Sequence, residues 1–265
     1  MKLPPQNRGT EPVPSNNPLT MLLDNLELRS PLPEADRGAI LALPYALKSM
    51  SPGSYLVREG EPPTGCGVLV SGFAYRQKLT GDGGRQILSI HIPGEALDFQ
   101  NVFLNTADHS VQMLTRGQVA LVTRAEIQKV ARSSPAIGHA ILVSILVEAS
   151  IFREWILNVG RRDAKSRLAH VLCELAVRLD HHGLADEMGY HLPMTQAELA
   201  DALGLTPVHL NRVIRALELD GLLVRTKREL SFPDWERMRD MADFNDRYLH
   251  FAKQKSGEQL EIAAG

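Results

Sequence analysis

The stretch Met194-Thr195-Gln196-Ala197-Glu198-Leu199-Ala200-Asp201-Ala202-Leu203-Gly204-Leu205-Thr206-Pro207-Val208-His209-Leu210-Asn211-Arg212-Val213-Ile214-Arg215-Ala216-Leu217 decides how this chain folds. Thr195 is an N-cap residue with Glu198 three positions on, the pattern of a capping box. Gly204 stands where a helix closes on a left-handed residue, and Thr206-Pro207 provides the cap and first position of the next helix. The spacing predicts helices over about 196–203 and 207–219 joined by a glycine turn: a helix-turn-helix, whose second helix can enter a DNA major groove.

That second helix has two faces. Leu210, Val213, Ile214 and Leu217 recur at helical spacing and predict a packing face. Val208, Asn211, Arg212 and Arg215 repeat the spacing on another face, flanked by His209. Guanidinium forks suit guanine, an amide suits adenine and an apolar group suits the thymine methyl, so this face carries what base edges require. A solvated face of ordinary charges is the bland alternative. Leu222-Leu223-Val224 and Leu230-Ser231-Phe232 flank Arg225, Thr226, Lys227 and Arg228, which predicts a basic-tipped hairpin able to hold phosphate. Thr195, Thr206, Pro207, Val208, His209, Asn211, Arg212, Arg215 and Lys227 are the expected DNA-contacting residues.

Upstream, Gly160 punctuates the chain and Asp163 caps a helix through about Leu179. A loop is expected over 181–193 and a helix over about 234–253, with Trp235, Met238, Met241, Phe244 and Tyr248 as a packing stripe and a loose tail after Ser256. Between Pro135 and Val159, Leu142, Ile145, Ala149, Phe152, Ile156 and Val159 alternate at three and four residues, an a/d seam. Ile137, Ile141, Ser144, Ile151 and Trp155 form a second row. One face can cover a neighbouring domain while the other meets the same helix of a second subunit; a core helix inside one monomer satisfies the same period.

From Ser51 to about Val130 short apolar runs alternate with turn residues, the pattern of an all-β barrel or roll, and Asp82-Gly83 suits a hairpin turn. Glu34 to Leu43 reads as a short helix behind Pro33, and residues 1–18, with five prolines, as a disordered arm.

The chain has 265 residues, 29 Lys+Arg against 31 Asp+Glu, and 44% hydrophobic residues, which fits an ordinary globular protein and excludes a uniformly cationic DNA coat. Residues 160–232 carry ten cations and ten acids, so any DNA grip comes from placed charges. Two distant cysteines, Cys66 and Cys173, exclude a disulfide framework or a four-thiolate cluster. Cys66 lies between two glycines, which would leave its thiol exposed and oxidisable. No secretory leader is visible, and Ala140 to Ile151 reads as too short and polar for a membrane span, so a cytoplasmic protein without a membrane partner is expected. Asp180, His181, His182, Glu187 and His191 share one polar loop and read as solvated groups rather than a metal site; no metal, cofactor or catalytic constellation is expected, and the chain does not read as an enzyme.

Over about residues 25–232 the sequence resembles the Crp/Fnr family of transcription regulators. Gly72 and Pro93-Gly94-Glu95 resemble the family's cyclic-nucleotide-binding-like β-roll, the seam its long dimerisation helix, and Arg162 to Ala169 with Met194 to Leu217 its hinge and DNA-binding domain. The resemblance implies an α+β chain: an arm (1–18), a β-roll sensor (19–134), a dimerisation helix (135–159) built on Leu142, Ile145, Ala149, Phe152 and Ile156, a winged helix-turn-helix (160–232), and a C-terminal helix and tail (233–265). It implies a homodimer on near-palindromic double-stranded DNA, with RNA polymerase and an unidentified small effector as further candidate partners.

Against the family's nucleotide cassette, Gly94-Glu95 matches the start, but Asp98-Phe99 stands where Gly-Glu would take the ribose, and His109-Ser110 where Arg-Ser would take the cyclic phosphate. These six residues are the candidate effector pocket, and the loss of the bidentate Arg predicts that the domain does not respond to cyclic AMP. The N-terminus has no cysteine for the iron–sulfur members' cluster, and His91 and His109 lack a haem context. Val208 replaces a glutamate frequent near the start of the recognition helix, which predicts a different operator. A cyclic-nucleotide-responsive regulator with an altered cassette, or a constitutive dimeric scaffold with a vestigial β-roll, are the alternative readings.

Overall fold

The computed structural model describes residues 17–185 and 188–251. The expected arm (apart from Asn17 and Pro18) and the tail after Ser256 lie outside them. In chain order the elements are α1 (Leu19–Glu27), α2 (Glu34–Leu41), β1 (Tyr45–Met50), β2 (Tyr55–Val57), β3 (Gly65–Ser71), β4 (Ala74–Leu79), β5 (Arg85–His91), a 3-10 turn (Gln100–Val102), β6 (Ser110–Met113), β7 (Gly117–Thr123), α3 (Arg124–Ser133), α4 (Pro135–Arg161), α5 (Ala164–His181), β8 (Gly189–His191), α6 (Gln196–Leu203), α7 (Pro207–Leu219), β9 (Val224–Thr226), β10 (Glu229–Ser231), α8 (Trp235–Ala242) and a second 3-10 turn (Asp246–Leu249).

Two antiparallel sheets, ordered β1-β7-β3 and β2-β6-β4-β5, make the β-roll. Its interior is small and apolar, formed by Leu69, Ala74, Leu97, Val111, Met113 and Val119. The expected turn at Asp82-Gly83 joins β4 to β5, with Gly83 at φ +86°. The expected start of the β region at Ser51 is too late: Tyr45–Met50 pairs along its whole length with β7, as an edge strand whose side chains are mostly exposed.

Helix α4 has the two predicted faces. Ile137, Ala140 and Ile141 join a core with Leu19, Leu22, Leu23 and Leu26 of α1 and with β3. Val147, Ile151 and Trp155 join a second core that takes in β5 and the helices after residue 164. Of the seam row, Leu142 (52%) and Ile156 (70%) are exposed, with Leu146 and Leu157 beside them, while Ile145, Ala149, Phe152 and Val159 are half-buried, Ile145 against the α1 core. An 18-residue window of α4 has mean hydropathy 1.8, so by length and composition the helix could cross a bilayer, against the expectation from the sequence. Gly160 does not break the helix, which runs on to Arg161; with no Cβ clash in its surroundings it is simply tolerated there. Asp163 caps α5 through Lys165 and Ser166 N–H at 2.9 and 3.0 Å.

The expected loop over 181–193 contains β8, which adds a third strand to the hairpin in the order β8-β10-β9. The expected helix over 234–253 stops at Ala242, because Asp243 takes a left-handed conformation (φ +47°). The packing stripe survives: Trp235, Met238 and Phe244 are buried against α5.

Candidate functional site: a nucleic-acid interface

The helix-turn-helix is held by its caps. Thr195 Oγ1 accepts from Glu198 N–H at 3.3 Å and Glu198 Oε2 accepts from Thr195 N–H at 2.7 Å, closing the capping box. Gly204 lies at φ +62°, where a Cβ would press on Val159 at 3.2 Å. Thr206 Oγ1 accepts from His209 N–H at 3.2 Å. Leu210, Val213, Ile214 and Leu217 are buried, which fixes the roll of α7 about its axis.

The opposite face is open. Thr195, Thr206, Pro207, Val208 (65%), His209, Arg212, Arg215 and Lys227 are all exposed, and Asn211 is half-buried. Among the described residues Arg212, Arg215, Lys227 and Arg228 enter no ion pair. Three cations near the hinge are committed within the fold, while Arg161 is exposed. Arg162 pairs with Glu154 at 2.7 Å, Lys165 pairs with Asp220, and Arg167 donates to the carbonyl of Leu203 at 2.6 Å. The asymmetry leaves free positive charge where α7 and the wing protrude. Sequence reasoning missed Gln196, whose Oε1 accepts from Asn211 Nδ2 at 3.0 Å and ties the two helices together on the reading face. Its position one residue after the Thr195 cap was the available signal.

The six effector-pocket candidates do not form one site: Glu95 and Phe99 border one cavity, and His109 borders another. Gly94 (φ +94°) abuts His182 and the Met21 carbonyl on the α1 side. Glu95 is gripped by Arg178 of α5 at 2.8 Å and by His91 at 3.3 Å. Burial raises its carboxyl, but Arg178 and His91 outweigh that and hold it well below the usual carboxylate range. Phe99 packs in the core with α1 and β3 and also borders, with Glu95, a polar pocket lined by Arg29, His91, Glu148 and Arg178. Ser110 Oγ accepts from Glu59 N–H at 3.0 Å. Asp98 and His109 do meet, at 3.4 Å, with Arg76 3.7 Å from Asp98. Arg76, which the sequence reading overlooked, is almost wholly buried and also pairs with Glu148 of α4 at 2.5 Å.

A cavity of about 360 Å³ opens between β4, β5 and α4, bordered by Arg76, His109, Phe152, Trp155 and Ile156 among others. Of the six candidates only His109 borders it. His109, at the position of the family's phosphate-binding arginine, lies between the carboxylates of Asp98 and Asp108 (3.4 and 2.7 Å), and Arg76 and Lys78 border the same cavity.

Cys66 is buried, not exposed: it points into the core beneath α1, and burial pushes its thiol up to about 12. Of the polar-loop residues, His182 meets Asn25 Nδ2 at 3.1 Å, His181 stacks on Phe251 at 3.9 Å between ring centres, and His191 pairs with Glu229 at 2.8 Å. Glu187 lies outside the described residues.

Comparison with known proteins agrees with this architecture. Residues 166–241 match the profile of the Crp-like helix-turn-helix domain, and residues 47–134 that of the cyclic nucleotide-binding domain. The chain is 27% identical over 199 residues to the transcriptional activator protein FnrL of Cereibacter sphaeroides, covering 74% of this chain and 79% of that one. It is 26% identical over 203 residues to the nitrogen fixation regulation protein FixK of Rhizobium meliloti, covering 76% and 89%. The solved structure of FixK2 from Bradyrhizobium japonicum superposes with a TM-score of 0.70 at 24% identity, over 75% of this chain and 98% of that one.

Proposed function

This chain belongs to the Crp/Fnr family of transcription regulators, and on that premise we propose that it acts as a homodimer whose α7 reads the major groove of a near-palindromic operator. The observation that carries the reading is the exposed face of α7: Val208, His209, Arg212 and Arg215 stand clear of the fold, and among the described residues neither guanidinium group pairs with a carboxylate. Asn211 reads with them from its anchor on Gln196, while Thr195, Thr206, Pro207 and Lys227 line the phosphates on either side. Binding-site selection with the purified chain tests this. A palindromic motif that Arg212→Ala no longer enriches is the expected result, and an unchanged motif with that variant refutes the assignment.

In the same proposal the second subunit covers the seam of Leu142, Ile145, Ala149, Phe152 and Ile156, whose ends at Leu142 and Ile156 are exposed in the single chain. That cover also accounts for the hydropathy of α4 without a membrane. The domains then run as a β-roll sensor over 19–134, a dimerisation helix over 135–159 that continues two residues further to Arg161, a winged helix-turn-helix within 160–232 and a C-terminal segment that docks on α5. The carboxylates around His109 favour a sensor that ignores cyclic AMP. The relative in Cereibacter sphaeroides is named an activator; extending activation to this chain entails contact with RNA polymerase, in the cytoplasm where the chromosome lies.

A further inference from the structure

Gln196, the first residue of α6, and Asn211 of α7 meet on the reading face, where Asn211 Nδ2 donates to Gln196 Oε1 at 3.0 Å. A side-chain amide has two N–H donors and one carbonyl acceptor. With one N–H given to Gln196, Asn211 keeps one donor and its Oδ1 acceptor. Adenine presents one acceptor, N7, and one donor, the N6 amino group, along its major-groove edge; guanine presents two acceptors there. The paired Asn211 therefore matches adenine. Turned over, the same amide would set Oδ1 against Gln196 Oε1, acceptor against acceptor. The orientation of Gln196 decides what Asn211 reads.

Gln196 is exposed, and among the described residues its Nε2 donates to no protein group. Its neighbour Thr195 cannot supply a donor in its place: the Thr195 hydroxyl gives its proton to Glu198 Oε2 at 2.8 Å and accepts from Glu198 N–H at 3.3 Å. A DNA phosphate accepts hydrogen bonds and has none to give. A phosphate beside the start of α6 takes Nε2 and so turns Oε1 towards Asn211. We propose that Gln196 is a specificity-determining positioning residue: held by a backbone phosphate through Nε2, it fixes the Asn211 amide through Oε1, and Asn211 then requires adenine at its base pair. The inference rests on the reading of α7 as the recognition helix and adds to it a residue of α6 that selects a base without touching one.

Binding-site selection with the full-length chain, followed by anisotropy titration of the selected duplex and its single-base-pair variants, tests this. Asn211→Ala identifies the base pair concerned, where the wild type should prefer adenine by about tenfold. Two variants separate the two ends of Gln196. Gln196→Glu still accepts from Asn211 and cannot donate to phosphate, so it should keep the adenine preference and bind every duplex about tenfold more weakly. Gln196→Lys still donates to phosphate and cannot accept from Asn211, so it should bind about as tightly as the wild type and lose the preference. Gln196→Ala and Asn211→Ala together should relax the preference no further than either alone. Both positions lie on the helix surface, and unchanged melting of each variant shows that it is folded. A preference kept by Gln196→Lys, a preference lost by Gln196→Glu, or wild-type affinity in Gln196→Glu overturns the proposal and leaves α7 as the recognition helix. A wild-type chain that selects no motif removes the recognition helix itself, and this proposal with it.

Discussion

Arg178 of α5 crosses from the DNA-binding half of the chain to the β-roll and grips both carboxylate oxygens of Glu95, at 2.8 and 2.9 Å. It donates as well to the Ile90 carbonyl at 2.7 Å and to Glu174 at 3.0 Å, so one buried guanidinium joins strand β5, the turn after it and α5. Around it, Arg85 pairs with Asp201 at 2.6 Å and Arg29 donates to the Leu249 carbonyl at 3.0 Å. The two halves are joined by fixed, directional contacts.

Removing one partner of that pair leaves the other buried without a counter-charge. Glu95→Gln or Arg178→Met should each lower unfolding free energy by about 3 kcal/mol, and the double variant should cost less than the sum. Urea denaturation of the four proteins measures the coupling; additive losses would show that the pair does not join the halves.

Acid should unfold the protein in two windows. His170 is enclosed by α5, α8 and the second 3-10 turn, facing Glu154, Arg162, Tyr248 and the Ala242 carbonyl. Burial first, and then the charge of Arg162, lower its pKa from 6.5 to about 3. The unfolded chain therefore takes up a proton before the folded one, and stability falls as pH drops from 6.5 towards 3, by at most ~1.4 kcal/mol per pH unit. Glu95, lowered in the fold, contributes stability that is present above the unfolded carboxyl's ~4.3 and is lost below it. His170→Gln should flatten the first window and Glu95→Gln the second, as read by denaturation midpoints against pH.

Base contacts and phosphate contacts separate by their salt dependence. Arg212→Ala should cost about 1–3 kcal/mol on a selected operator and relax preference at one base pair, whereas Lys227→Ala should weaken all duplexes alike and reduce the salt slope by about one. Fluorescence anisotropy at several salt concentrations distinguishes the two, and an equal slope for both variants would contradict the assignment.

The seam makes a solution prediction. Leu142→Glu and Ile156→Glu change side chains that are exposed in the single chain, so each variant should fold yet sediment as a monomer while the wild type sediments as a dimer. A monomeric wild type would remove the homodimer.

Thiol chemistry gives a fifth check. With its sulfur buried and its pKa raised to about 12, Cys66 should resist a disulfide reagent until the chain is unfolded. Rapid modification of the native protein at Cys66 would show that the core above it opens.

Much of this was readable from residue types. Caps, turn glycines and helical period placed α5, α6 and α7 almost to the residue, because each depends on neighbours within one turn. Local signals failed where pairing is distant. β1 has exposed side chains on an edge strand, so Tyr45 to Met50 shows little alternation, and β7 supplies the reason it is a strand. Charge burial was invisible: nothing near Arg76 or Arg178 in sequence announces partners at Glu148 and Glu95. Cassette spacing does not reveal that the effector candidates divide between two cavities, Glu95 and Phe99 at one and His109 at the other, with Ser110 bound to Glu59 N–H.

Helix α4 runs unbroken for 27 residues, about 40 Å at 1.5 Å per residue, and only Arg162 and Asp163 separate it from α5. It behaves as a stiff rod with almost no slack at its far end. A tilt of about 5° about Glu148, where it holds Arg76, would carry the end of the rod at Arg161, ~20 Å away, by ~1.7 Å. Such a displacement exceeds the tolerance of a hydrogen bond to a base edge. The connector is too short to absorb it, so motion at the roll reaches the reading helix as a change in aim.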